Sequence, residues 1–322
     1  MFNHSLIAGK FAPLHKGHQL VIDTAIRESK KVTILVYSNP DFKNMPQAKR
    51  AAWIRDLYPQ LNVITPSNPP CNSADDFTQR EFVKNVIEQN ALQIDAVFTS
   101  EDYGDGFAEH LGVKHRLVDK ERAHTTISGT KIRKDIHTNR HYLDPLVYKD
   151  FVKKIVLMGA ESTGKSTLAI ELAKHFNTNH VPEYGREYYE EKNGKLSLED
   201  YVHIAKEHRA IEDKLAQSAN GILFVDTNAI TTLFFSYYYN GAALPELYTL
   251  ADQCKERYDH YFVCADDIPF EQDGWRDNEI LRSKMQRMIL LDLNNRKIPF
   301  QLVLGSLIKR IEAVAKALGV GR

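Results

Sequence analysis

Lys154-Ile155-Val156-Leu157-Met158-Gly159-Ala160-Glu161-Ser162-Thr163-Gly164-Lys165-Ser166 is the stretch on which the reading of the fold turns. Behind its leading lysine runs an apolar segment with the length of a buried strand. From Gly159 to Ser166 the residues match G-x-x-x-x-G-K-[ST]. After them, Leu168, Leu172 and Phe176 recur at helical spacing. Strand, glycine loop and helix, in that order, are what such a loop needs to cradle phosphate. The backbone of Gly159, Glu161, Ser162, Thr163 and Gly164 would wrap a β-phosphate, with Thr167 beside it. Lys165 would reach the β and γ oxygens, and Ser166 would bind magnesium.

The chain opens on a passage of the same kind. Ser5-Leu6-Ile7-Ala8-Gly9 reads as a strand. Gly9-Lys10-Phe11-Ala12-Pro13-Leu14-His15-Lys16-Gly17-His18 reads as a loop leading into a helix through about Ser29. Gly17 permits close backbone approach, and the free N–H groups and dipole of the helix start attract an anion. His15 and His18 would donate to phosphate oxygens whose charge grows during reaction. Gly9, Lys10, Phe11 and Gly17 are further candidates for nucleotide contact. Later, Ile127-Ser128-Gly129-Thr130-Lys131-Ile132-Arg133 sets Ser128 and Thr130 at a helix start, with Arg133 one turn on as a bidentate anion ligand.

Two such openings in 322 residues imply two domains. Each begins an alternation of β-like and α-like segments, the pattern of a parallel sheet covered by helices. In the first, Lys31–Tyr37, Ala96–Ser100 and Lys114–Val118 read as strands, and Ala48–Tyr58, Thr78–Asn90 and Thr130–Thr138 as helices. In the second, Gly221–Asp226, Tyr258–Cys264 and Phe300–Leu304 read as strands. A closing helix carries Leu307, Ile308, Ile311, Val314, Ala315 and Leu318 on its apolar face. Asn139–Lys149, with Pro145 and mixed polarity, reads as the linker, giving domains 1–148 and 149–322.

Composition narrows the class. Lys+Arg and Asp+Glu number 42 each, so the net charge is zero and a nucleic-acid-coating protein is excluded. No apolar run is long enough for a membrane span, and Met1-Phe2-Asn3-His4 does not begin a signal peptide. Cys71, Cys254 and Cys264 form no C-x-x-C pair; they fit reduced thiols in a cytoplasmic protein and leave zinc without a site.

The two motifs of the first half, H-x-G-H and I-S-x-T-x-x-R, resemble the signatures of the nucleotidylyltransferase superfamily, and within it the nicotinamide mononucleotide adenylyltransferases. The resemblance implies that a mononucleotide phosphate attacks the α-phosphorus of ATP and releases pyrophosphate. Arg50-Ala51-Ala52-Trp53-Ile54 resembles a family segment that helps hold the mononucleotide, which implies Trp53 as a residue to stack on nicotinamide; an aromatic on an apolar helix face is more often core, and both readings stay open. Tyr103, in Ser100-Glu101-Asp102-Tyr103-Gly104 at the end of a strand, is a candidate ATP contact.

In the second half, Glu183 of Val181-Pro182-Glu183-Tyr184-Gly185-Arg186 is the candidate base for a substrate hydroxyl. Asp226, at the end of an apolar strand, is suited to magnesium or its waters. Asp273-Gly274-Trp275-Arg276-Asp277 falls where kinase lids occur, so Arg276 would close over the transferring phosphate and Trp275 would stack on a flat cationic base. The aromatic run Phe234-Phe235-Ser236-Tyr237-Tyr238-Tyr239 reads as a packing helix rather than a ligand surface.

As a whole the chain resembles the bifunctional NadR-type family, over nearly its full length. The resemblance implies an α/β fold class of two doubly wound parallel-sheet domains, a Rossmann-like nucleotidylyltransferase followed by a P-loop kinase. It implies nicotinamide riboside, nicotinamide mononucleotide and ATP as substrates, Mg2+ as cofactor and NAD as product. Because the chain starts a few residues before its first strand, the helix-turn-helix domain of some members is not expected, nor is DNA binding. A homo-oligomer stays open. Two other readings stay open as well: transfer to another phosphorylated acceptor such as phosphopantetheine, and a regulator sensing ATP or NAD.

Overall fold

The computed structural model describes residues 1–101, 103–119, 128–270 and 279–319. The chain forms two compact units, Met1–Tyr148 and Lys149–Arg322.

The first unit runs β1 (Phe2–Gly9), α1 (Lys16–Glu28), β2 (Ser29–Val36), α2 (Gln47–Leu57), β3 (Asn62–Ile64), α3 (Asp76–Gln89), β4 (Ala96–Thr99), α4 (Gly104–Leu111), β5 (Lys114–Leu117), α5 (Gly129–Lys134) and α6 (Pro145–Tyr148). Its five strands are all parallel, in the order β3-β2-β1-β4-β5. With helices on both faces, the central strands bury nearly every side chain, which is why Val32–Val36 reads as an almost unbroken apolar run. Leu6, Leu35 and Val97 meet Val83, Val86 and Phe107 in one core.

Three differences from the sequence reading have simple causes. β3 has three residues, too few to show a period. α5 stops at Lys134 because the Asp135 carboxylate accepts from Thr138 N at 3.0 Å and turns the chain. The expected linker is largely packed structure: Pro145 starts α6, and Leu143, Val147 and Tyr148 are buried.

The second unit runs β6 (Lys153–Met158), α7 (Lys165–His175), β7 (His180–Val181), α8 (Tyr184–Glu191), α9 (Leu198–Ala216), β8 (Ile222–Asp226), α10 (Ala229–Asn240), α11 (Pro245–Asp252), α12 (Cys254–Arg257), β9 (His260–Cys264), α13 (Glu279–Asn295), β10 (Gln301–Val303) and α14 (Leu307–Ala317). Its parallel order is β10-β9-β6-β8-β7. Ile155, Leu157, Leu168, Leu172, Phe224 and Phe262 form its core. α9 starts on a capping box in which Ser197 and Asp200 satisfy each other's backbone N–H. α14 keeps most of its expected face, with Val314 buried and Ile311 and Leu318 packed on the core, but at its start Ile308 is 69% exposed while Arg310 is 2% exposed.

In both sheets the glycine loop follows the strand at which the order reverses, β1 in one and β6 in the other. That is where ligands lie in open parallel sheets. No helix among the described residues is long and apolar enough to cross a membrane.

Candidate functional site

In the first unit, Phe11 takes a left-handed φ of 48° and tucks its buried ring beneath Gly9, where a Cβ would stand 3.3 Å from it. His15 caps α1, its Nδ1 accepting from Gly17 N at 3.1 Å. A ring that accepts through Nδ1 carries its proton on Nε2 when neutral. His18 stacks on it, with centroids 3.8 Å apart and planes 25° from parallel. Burial, then the neighbouring His15, hold His18 well below the usual histidine range. Its Nδ1 is sealed from solvent without a partner among the described residues.

The late motif reaches the same loop. Ser128 caps α5 through Lys131 N. Gly129 is required by proximity, since a Cβ there would lie 2.9 Å from the Ala12 carbonyl oxygen. Arg133 donates to that carbonyl and, at 2.9 Å, to Thr130 Oγ1. His15, His18, Ser128, Thr130 and Arg133 thus gather around the Pro13-flanking turn at one end of the sheet. Two charge features there are useful for phosphate: ring N–H donors, and a guanidinium already aimed at the loop.

Arg50 and Trp53 take different parts from the ones their segment suggested. Arg50 is fully buried, donating to Met45 O at 2.9 Å, Ser38 Oγ at 2.9 Å, Asp41 Oδ1 at 2.6 Å and the Lys10 carbonyl. It braces the phosphate loop from behind. Trp53 is 2% exposed, so its indole is a core residue and offers no open face for stacking. Tyr103, 48% exposed, stands just before α4 near the end of β4.

In the second unit the loop from Gly159 to Gly164 follows β6, with positive φ at Gly159 (141°), Ser162 (55°) and Gly164 (77°). Thr163 Oγ1 and Lys165 Nζ both donate to Ala160 O, at 2.8 and 2.9 Å. Ser166 Oγ donates to Asp226 Oδ2 at 2.5 Å. Asp226 is 1% exposed; burial, then the nearby Glu183 charge, push its carboxyl up to about 6 against the pull of Lys165. Its Oδ1 has no hydrogen-bond partner among the described residues. Thr163, Lys165 and Ser166 open onto a cleft of about 410 Å³, whose wall also includes Glu161, Thr167 and Glu183.

Three sets of residues in or behind the cleft were missed or misjudged in the sequence. Phe235 and Tyr239 of α10 line the cleft with Tyr189 of α8, so part of the aromatic run faces the cleft, while α10 buries Ile230, Leu233 and Ser236 as the packing helix expected. Gln286 of α13 accepts from Ala160 N and donates to Cys264 O, each at 2.9 Å. Arg310 donates to Thr163 O (2.5 Å), Gly305 O (3.0 Å), Ala265 O (3.2 Å) and Asp267 Oδ1 (2.6 Å). The only hint in the sequence was an arginine at the core position one turn before Val314. Trp275 and Arg276, with Asp273, Gly274 and Asp277, lie outside the described residues.

Among known proteins, a family model described as an AAA domain matches residues 154–310. The trifunctional NAD biosynthesis/regulator protein NadR of Escherichia coli (strain K12) is 28% identical over 320 residues, spanning 92% of this chain and 77% of its own. NadR of Salmonella typhimurium is 28% identical over 347 residues, spanning 98% and 84%. A crystal structure of a NadR protein in complex with NAD and AMP-PNP aligns with a TM-score of 0.68 at 22% identity, over 100% of this chain and 98% of that one. At that identity the structural likeness establishes a shared fold.

Proposed function

The chain is NadR-like, and from that premise we propose that it builds NAD in two steps from nicotinamide riboside and ATP. The second unit phosphorylates the riboside to nicotinamide mononucleotide. The first joins that product to the AMP part of ATP. The observation that supports the reading is that Arg133 donates to the Ala12 carbonyl in the loop leading to His15, while in the second unit Lys165 and Ser166 line one cleft and Ser166 donates to Asp226.

For phosphoryl transfer, the loop amides hold the β-phosphate and Lys165 leaves Ala160 O for the β and γ oxygens. Glu183 takes the proton of the 5′-hydroxyl as that oxygen attacks the γ-phosphorus and the bond to the β-phosphate oxygen breaks. An oxygen-only set with an unpartnered Asp226 Oδ1 suits a hard cation better than a softer metal. Ser166 and Asp226 would hold Mg2+, which when bound neutralises charge on the β and γ phosphates. Arg276 and Trp275 keep their proposed roles over the phosphate and the pyridinium. Tyr189, Phe235 and Tyr239 supply a flat aromatic wall for the acceptor.

For adenylyl transfer, an oxygen of the mononucleotide phosphate attacks the α-phosphorus and pyrophosphate leaves. His15, His18 and Arg133 stabilise the charge that develops, and no covalent enzyme intermediate is needed. Three free thiols, two of them buried, suit a cytoplasmic setting.

The test supplies purified protein with nicotinamide riboside, ATP and Mg2+ and follows both nucleotides by chromatography. Lys165→Ala is expected to stop mononucleotide formation yet still convert supplied mononucleotide to NAD. His18→Ala is expected to accumulate mononucleotide. No NAD from nicotinamide mononucleotide and ATP would refute the acceptor, and panels of other phosphorylated acceptors would then identify it.

A further inference from the structure

The residue that ends β8, Asp226, is followed by Thr227 with a φ of 65°. A β-branched residue in the left-handed region is an outlier that surrounding contacts must hold in place. Thr227 N donates to Leu157 O of β6 at 3.0 Å, which fixes one side of the turn. The other side is held by α9. His208 Nε2 lies 3.1 Å from the Asp226 carbonyl oxygen. A carbonyl only accepts, so Nε2 carries the hydrogen of this bond. The opposite ring nitrogen, Nδ1, faces Glu212 Oε1 at 3.2 Å, one helical turn along.

Glu212 is itself immobilised. It is 0% exposed, and it accepts from Tyr258 Oη at 2.6 Å and Arg257 Nε at 2.7 Å, with Lys154 Nζ at 3.5 Å. The ring of His208 is therefore clamped between a fixed carboxylate and the peptide that carries Asp226. It also borders the cleft at 5% exposure. A buried histidine with no task beyond filling space needs neither a carboxylate clamp nor a bond to a turn beside the reacting groups.

We propose that His208 is a positioning residue for phosphoryl transfer: through its bond to the Asp226 carbonyl, and clamped by Glu212, it holds the Asp226–Thr227 turn so that the carboxylate meets Ser166. The proposal rests on the reading of the second unit as a kinase. His208 touches no reacting atom; it acts through the placement of Asp226.

The test compares the full chain with its His208→Ala and His208→Gln variants. A glutamine amide can donate where Nε2 does, so it should rescue what alanine loses. The alanine variant is expected to lower the phosphoryl-transfer kcat by on the order of ten- to a hundredfold, the scale set by a small misplacement, with the KM for ATP changed much less. Glutamine is expected to return kcat to within about threefold of wild type, and adenylyl transfer by the first unit should be unchanged in both variants. Backbone hydrogen exchange at residues 225–230 should quicken in the alanine variant. Wild-type kcat in the alanine variant, or a glutamine variant as impaired as the alanine one, overturns the proposal. Should the wild-type chain phosphorylate no riboside, the kinase reading fails. The exchange comparison then tells the two failures apart: quickened exchange in the alanine variant shows that His208 holds the turn and only the reaction was misassigned, whereas unchanged exchange overturns the hold itself.

Discussion

Replacing Glu212 by glutamine removes one charge from the centre of the second unit. Burial alone would raise this carboxyl. The His208 N–H and the charges of Arg257, His208 and Lys154 outweigh it and hold the group at about 2 instead of 4.5. That depression corresponds to about 3 kcal/mol of stabilisation at neutral pH. Glutamine also turns an N–H2 toward donors, leaving Arg257 and Lys154 short of an acceptor, and breaking such a buried set costs about 3–5 kcal/mol. For a unit of this size, about 3 kcal/mol lowers the melting point by roughly 6–12 °C. The folded carboxyl is depressed, so its contribution is fully present above the unfolded value of 4.5 and lost as pH falls through about 2. The gap between wild type and Glu212→Gln should therefore be full at pH 7 and shrink to about half or less by pH 3. Calorimetry across that range, with adenylyl transfer as the measure of an intact first unit, checks both parts. A loss under about 1 kcal/mol at pH 7, or a gap that does not change with pH, would refute the electrostatic account.

Other outcomes follow from close approaches and burial. Gly104→Ala would place a Cβ 2.1 Å from His115 Nε2 and 2.4 Å from Thr99 Oγ1. It should cost about 1–3 kcal/mol of first-unit stability, read by thermal unfolding. Trp53→Phe should reduce stability by about 1–2 kcal/mol while leaving the KM for nicotinamide mononucleotide within about twofold, because the indole is a core residue; a tenfold rise would restore the stacking role. Gln286→Leu removes the acceptor for Ala160 N. It should raise the KM for ATP in phosphoryl transfer several-fold and leave adenylyl transfer alone, as separate assays on one preparation would show.

The parts legible in the sequence were those in which local pattern and chemistry coincide. Gly159–Ser166 needs its glycines for positive φ, and the glycines and the lysine of the expected pattern show together in eight residues. H-x-G-H was visible for the same reason. Arg50 was not, because its partners are carbonyls and side chains of loops that only the fold brings together. Trp53 stayed open between two readings, because an aromatic beside an arginine looks the same on paper whether it faces ligand or core; its burial favours the core. Only the first turn of the α14 face differed, because periodicity counts apolar residues, whereas a core position there went to an arginine with four acceptors. His208 and Glu212 lie in a helix whose start, Ser197-Leu198-Glu199-Asp200, was marked by a capping box. Their pairing at i and i+4 was readable, but not their target.

Arg310 has a consequence for how such a chain changes over generations. One guanidinium joins carbonyls from the phosphate loop, from the segment after β9 and from the segment after β10, and Asp267 closes the circuit by accepting from Gly305 N at 2.6 Å. Three stretches far apart in the gene thus share one constraint. An insertion in any of them is felt by the other two, so their lengths should drift together or not at all. A descendant that loses the arginine would have to find new donors for three carbonyls at once, a change that no single codon supplies.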